Sequence, residues 1–436
     1  MNLMKKRFSL RQAAGGPKTR AGCSRIACVV RFLLLLLALS AAAHAQDFTY
    51  TTNNDTITIT GYTGPGGLVT IPVVIDGLAV TRIGDGAFYA CSGLTHVAIP
   101  NSVTNIGNWA FYGCTSLTNS ALPNSVTSIG DSAFRSCFSL TSLTISNGVT
   151  SIGNHAFFFC RNLASITISE SVTSIGTEAF ADCPSLNAIM VDAHNLFYSS
   201  VDGVLFNKDQ SILIQYPGGK SGAYNFPNQV RSIGDWAFGY CSVLTSLTLN
   251  NSITNIGDGA FYGSSLVMLT IGDGLAHIGN LAFCACYSLA SVNLPDTVAT
   301  IGDNAFKVNI NLTNITLGKG VTSIGSGAFS WCSSLTSIVI PIRVTSLEDT
   351  TFQFCSGLTA VFFQTNAPRL GSFVFDGADN ATIYYLAATR GWRLPYGGRP
   401  VMQWNPQIQV GDIGFVVIAN QFGFTSTDID GQLWLG

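Results

Sequence analysis

The side chains best suited to chemistry in this chain of 436 residues recur at a fixed interval. Cys91, Cys114, Cys137, Cys160 and Cys183 lie 23 residues apart, and Cys241, Cys286, Cys332 and Cys355 continue the column, with Ser264 and Asn309 in two of its places. Regularly spaced cysteines could pair as disulfides, hold zinc or act as nucleophiles. A run of five neighbours is odd and cannot pair completely, and parallel stacked Cβ vectors suit disulfide geometry poorly. No Cys-x-x-Cys and no accompanying histidine offers a zinc site, and Cys284 adds a Cys-x-Cys with Cys286 in one place only. Because Phe and Leu flank the column, a buried ladder of free thiols acting as small hydrophobes is the favoured expectation. Some pairing stays open as the alternative.

A second column, just after a repeated glycine, holds Asp85, Asn108, Asp131, Asn154, Thr177, Asp235, Asp258, Asn280, Asp303, Ser326 and Asp349. Calcium takes carboxylate and amide oxygens and could use such a row. Asp, Asn, Ser and Thr are also the residues that cap helix starts, and the column contains nothing else, so capping is the stronger expectation. Hydrolase and metalloprotease motifs are absent: no Gly-x-Ser-x-Gly and no His-Glu-x-x-His occurs. "GDGAFY" at Gly84 and Gly257 imitates part of a dinucleotide turn only because the repeat does. "GGKS" at Gly218 lacks the first glycine of a phosphate loop, since Ile214 stands there. His96, His155, His194 and His277 fall in different columns. The pattern predicts no catalytic residues, no cofactor and no metal, hence no enzyme.

These columns are set by a repeat. Phe88, Phe111, Phe134, Phe157 and Phe180 are 23 residues apart; Phe238, Phe261, Phe283, Phe306, Phe329, Phe352 and Phe375 follow at 22 or 23, twelve copies in all. A fixed period in this range means stacked units that bury apolar faces on one another. Within a copy, "LTSLTI" and "VTSIG" alternate as short half-buried strands. "DSAFRS", from Asp131 to Ser136, starts with a capping residue and fits one helical turn. About twelve coils of two strands and a turn are predicted.

Leu-x-x-Leu-x-Leu with this period is the leucine-rich-repeat signature. The form Ile-Gly-x-x-Ala-Phe-x-x-Cys-x-x-Leu, as from Ile129 to Leu140, resembles the BspA-like class of bacterial leucine-rich-repeat surface proteins across residues 81–380. Here the cysteine precedes the first leucine of the strand motif by three residues, instead of following the strand. The resemblance implies a leucine-rich-repeat solenoid of the horseshoe type, mainly β with short helical turns. It also implies use in adhesion or protein recognition outside the cell.

The flanks divide the chain further. Residues 1–45 carry eight basic residues and no acid, then "FLLLLLALSAAA" and Ala43-His44-Ala45, which predicts a secretory signal peptide cleaved after Ala45. The apolar run is shorter than the roughly 20 residues of a membrane span, so no span is expected once the leader is removed. Residues 46–80 read as an N-terminal β cap, about 190–226 as an inserted hairpin, 381–406 as a C-terminal cap, and 407–436 as a tail or the start of a truncated following module. Without the leader, 13 of the 21 basic residues remain against 23 acidic ones, a net charge of about −10. Such a chain repels phosphate backbones, so nucleic acid is excluded as a partner.

What the repeat leaves outside is surface. In "LTSLTI" the Leu and Ile point inward, so the intervening residues point out. One row then holds Asn119, Ser142, Ser165, Ser246, Ser291, Asn314 and Ser337; the next holds Thr144, Thr167, Thr248, Thr270, Asn293 and Thr316. These rows are the candidate binding face for an extracellular protein or glycan. The competing expectation is a passive spacer or stalk that presents a further C-terminal module.

Overall fold

The computed structural model describes residues 47–404 apart from Ser120; the leader at 1–45 and the tail at 407–436 lie outside the described residues. A typical repeat lays down a two-residue strand, a string of tight turns and a longer strand. Equivalent pieces of successive repeats run side by side. The Ser-Ile strands pair in parallel at a shift of one repeat, Ser151 against Ser128 and Ser174, Ile152 against Ile129 and Ile175. Their β-branched residues suit a pleated, half-buried ladder, with isoleucine on the core side. Together with their neighbours they make two eight-stranded flank sheets, the second of which begins with the three inserted strands. At the N-terminal end, Phe48–Asn53 and Thr56–Tyr62 form an antiparallel pair that joins Leu78–Ile83 and buries Ile57 and Ile59.

The phenylalanines form a spine. Phe88 to Phe180, then Tyr216 to Phe375, stack ring on ring with centroids 4.8–5.7 Å apart. That spacing tracks the separation of paired strands, so one ring per coil fills the core without gaps. Offset-stacked pairs add about 0.5–1.5 kcal/mol each beyond the area they bury. Tyr62 and Tyr216 head the two stacks. The twelve coils counted on phenylalanine therefore become about fourteen; tyrosine hid the other two from the count.

The short helical turns are not present: no helix occurs among the described residues. Ser132 and Ser136 lie at φ 55° and 60°, and their equivalents in the other turns share this left-handed conformation, which a right-handed helix cannot contain. The amide of Phe134 donates to Ala156 O in the next coil at 2.8 Å, and Phe111 to Ala133 at 2.7 Å. The turns are thus a third inter-coil ladder. The Asx column changes role accordingly. Asp131 Oδ1 accepts the amide of Asn154, one coil on, at 2.7 Å, and Asn154 Oδ1 accepts that of Thr177 at 2.9 Å. These side chains tie coils together where helix capping was expected.

The insertion is built into the core. Tyr198–Val201 pairs antiparallel with Val204–Asn207, which pairs antiparallel with Ile212–Gln215, which starts the second flank sheet against Ser232–Ile233. Val204, Leu205 and Phe206 are all fully buried. Leu205 belongs to the apolar cluster running from Phe48 to Ile189, while Val204 and Phe206 belong to the one from there to Tyr396. One strand therefore acts as a septum, each face sealing one core.

Candidate binding surface

The outward rows follow from strand alternation. In Ser142–Thr144 and Ser165–Ile168 the central Leu143 and Ile166 are buried while Ser142, Thr144, Ser165 and Thr167 are exposed. Parallel pairing without slip aligns them: Ser142 with Ser165 and Ala188, Thr144 with Thr167 and Met190. Single bridges carry the first row back through Asn119 to His96. Beyond the insertion Ser246 pairs with Met268, Thr248 with Thr270, Ser291 with Asn314 and Asn293 with Thr316. Asn119, Ser142, Thr144, Ser165, Thr167, Ser246, Thr248, Thr270, Ser291, Asn314 and Thr316 are all exposed; Ser337 is half-buried.

The rows are not continuous. The strands from Asn119 to Val191 form one block, which ends where the inserted hairpin packs against Ala188–Val191, with Gly203 O accepting the amide of Ile189 at 2.8 Å; from Ser246 onward the face strands fall into three separately bonded sheets. Two exposed methionines belong to the rows and were missed: Met190, 50% exposed, and Met268, 64%. Their signal was available in the spacing: Ser246 and Ser291 are two periods apart, so Met268 had to lie between, and Met190 is one period after Thr167. Towards the C-terminus the second row turns apolar: Val339 pairs with Phe362 and Phe362 with Tyr384.

Hydroxyls elsewhere in the repeat are committed. Thr104, Thr127, Thr150 and Thr173 each donate to the carbonyl of the residue one coil back, at 3.0–3.2 Å, as do Thr118, Thr141 and Thr313 at 3.1–3.3 Å. The side chains of Ser142, Thr144, Ser165 and Thr167 make no hydrogen bond within the chain. The face therefore offers free donors and acceptors on a rigid, nearly uncharged sheet.

The thiols do something different. All ten described cysteines are free. Cys114, Cys137, Cys160 and Cys183 donate Sγ–H to the carbonyls of Phe88, Phe111, Phe134 and Phe157 at 3.1–3.2 Å. Asn309 does the same with Nδ2, reaching Phe283 O at 2.8 Å and Phe306 O at 2.7 Å. So the column selects a small donor as well as a small hydrophobe, which explains its one asparagine. Burial pushes the Cys114 thiol up to about 12 and those of Cys137, Cys160 and Cys332 well above the ordinary range. Protonated, buried thiols are neither nucleophiles nor metal ligands.

Two further clusters gather charged residues. Glu170, Asp192 and His194 gather on the surface within 4.8 Å, but Asp192 Oδ1 already accepts the His194 amide at 2.8 Å and lies 3.0 Å from its ring Nδ1. On the turn side, His155 Nε2 lies 3.3 Å from Glu178, near Asp182, whose carboxyl burial raises to about 6. His155 and Glu178 are one period apart, consecutive members of the column just before Ala-Phe, so the repeat itself sets that pair side by side; no spacing rule links Glu170 with Asp192 and His194.

A stack of parallel coils with one open, hydroxyl-bearing strand face defines a repeat protein built to present surface. The family follows from comparison: residues 80–201, 220–333 and 276–389 match the BspA type leucine rich repeat region, and the chain belongs to that family. It is similar to a leucine-rich repeat protein of Eubacterium ventriosum, at 25% identity and a TM-score of 0.59, with 75% of this chain and 91% of that one covered. It is also similar to a leucine rich cell surface protein of Faecalibacterium prausnitzii, at 28% identity and a TM-score of 0.51, covering 73% and 93%. The pneumococcal vaccine antigen PcpA shares the fold at 21% identity and a TM-score of 0.58, over 82% and 97%. No curated protein matches the chain.

Proposed function

We propose that the protein is exported and acts as a non-enzymatic adhesion or recognition module, holding an extracellular protein or glycan against its strand face. The observation that carries this is the contrast between threonine columns. Those whose hydroxyls bridge coils serve the fold, whereas Thr144 and Thr167 stand exposed with no internal partner. A cell-surface relative and a basic, apolar-ended leader support export.

With charge nearly absent from the rows, contact area and shape fit must supply the affinity, so a long cation at the centre should exclude a partner. The double variant Thr144→Arg, Thr167→Arg should abolish retention of residues 46–436 on immobilised extracellular-matrix extract or on cells. Its melting temperature should hardly move, since exposed substitutions change stability by about 0.5 kcal/mol or less. Retention that survives this variant but vanishes when residues 196–226 are deleted, in a chain that still melts cooperatively, would move the site to the insertion. Indifference to both changes would leave a passive spacer.

A further inference from the structure

The turn side of the solenoid carries a second surface that the strand face does not involve. Each turn holds two residues at positive φ, one before the Ala-Phe pair or its equivalent and one two residues after that phenylalanine. Glycine fits the first of these places at Gly86, Gly259 and Gly327, as expected where φ is left-handed. Large aromatic residues are costly in this region, yet Trp109 (φ 53°), Trp236 (57°) and Trp331 (64°) occupy such places, as do Phe159, Tyr240 and Phe354. Half of the chain's six tryptophans are therefore held in a conformation that opposes them.

For some of these rings the compensation is local. A Cβ added at Gly259 would lie 2.6 Å from the Trp236 indole, so that ring lies on the backbone of the next coil. Trp109 has no such glycine after it, since the next member of its column is Ser132. Its indole is 48% exposed. Beside it Tyr89, 57% exposed, stacks on Tyr112 with centroids 4.9 Å apart and planes 4° from parallel. These three rings, with Asp85, Ser132 and Arg135, line an open depression of about 500 Å³.

The rim supplies complementary polar groups. Asp85 uses Oδ1 to accept the Asn108 amide at 2.8 Å, and its other oxygen has no partner in the chain. Arg135 lies with Cζ 4.5 Å from the Phe158 ring centre and donates no hydrogen bond within the protein. An acceptor and a fork of donors thus flank a depression lined by three aromatic side chains, of which Tyr89 and Trp109 are the more exposed. The C–H face of a pyranose is apolar and its edge carries hydroxyls that both donate and accept, which matches the aromatic lining and the polar rim. The acidic balance of the chain disfavours an anionic sugar.

We propose that the depression lined by Tyr89, Trp109 and Tyr112 takes an uncharged pyranose polysaccharide, its C–H faces against the exposed Tyr89 and Trp109 rings, with Asp85 and Arg135 binding its hydroxyls. Native electrophoresis of residues 46–436 through gels containing a soluble β-glucan, a galactomannan or polygalacturonate tests it. At least one uncharged polymer should retard the protein and polygalacturonate should not. Tyr89→Ala and Trp109→Gly should each weaken retardation about tenfold or more. Thr144→Arg with Thr167→Arg should leave it unchanged, so this site and the strand face fail independently. Trp109→Gly restores the residue its backbone favours, so its melting temperature should hold or rise while binding is lost. Absence of retardation by both uncharged polymers, or retardation that Trp109→Gly leaves intact, would overturn the proposal. A fall in melting temperature with binding retained would reduce Trp109 to a backbone cover like Trp236.

Discussion

At the scale of single residues, each column of the repeat has one physical task, and the tasks predict what substitution does. The thiols are core donors, so a thiol reagent should modify the native protein slowly and all ten sites only after unfolding, without added reductant. One exception is expected. Cys91 is half-buried and its Sγ is 4.0 Å from Tyr62 O, so it should react first, and Cys91→Ser should remove the fast phase. Mass spectrometry that finds most of these cysteines oxidised would overturn the ladder. The repeated glycine illustrates close approach. A Cβ on Gly153 would lie 2.5 Å from the Asp131 backbone nitrogen and 2.6 Å from the Oδ1 that ties the coils. Gly153→Ala should therefore destabilise the protein by about 1–3 kcal/mol, as forced overpacking does, measurable by urea unfolding.

Among the elements, the septum strand Val204–Asn207 departs most from repetition. In a solenoid each coil contacts only its neighbours, so stability is close to a sum of local terms. A strand with Leu205 in one core and Phe206 in the other should let the halves be weakened separately. Leu205→Ala should cost about 2–5 kcal/mol and raise amide exchange mainly in residues 150–190. Phe206→Ala should do so mainly in 212–256; equal loosening on both sides for both variants would refute the septum. How much of this was legible beforehand follows the same division. Period 23, the phenylalanine and cysteine columns and the outward rows were readable because each coil repeats one local solution. The non-helical turns were not, because a sequence such as "DSAFRS" does not reveal that its amides bond across coils, with two residues in left-handed backbone. Met190 and Met268 were overlooked because the rows were assembled from polar residues, whereas position alone defines them. The inserted hairpin at about 190–226 was readable, but not that it packs against Ala188–Val191 and interrupts the platform, because that contact occurs once and no column records it.

At the scale of the whole solenoid, the two halves also meet on the turn side, and there the molecule is sensitive to pH. The Phe158 and Tyr240 rings, from coils on either side of the insertion, lie 5.5 Å apart edge to face. Around them sit Glu178, Asp182, His155, Arg135 and Arg161. Burial raises the Asp182 carboxyl to about 6 against the pull of Arg161 and Arg135, and raises Glu178 despite the opposing effect of His155. A carboxyl whose folded value exceeds its unfolded value of 3.8 binds its proton more tightly in the folded chain. Its stabilising contribution is complete below that value and is lost as pH rises through about 6. Asp192 and Asp209 act with the opposite sign, because hydrogen bonds hold both below the ordinary carboxylate range. Their contribution falls away only in more acidic solution, so the two windows separate. The melting temperature should accordingly be higher at pH 5 than at pH 7.5, and Asp182→Asn, which keeps the size and removes the charge, should raise the value at pH 7.5 and shrink the difference. A wild-type protein that is more stable at pH 7.5, or an Asp182→Asn variant with the full pH dependence, would show that this cluster does not govern how the halves are joined.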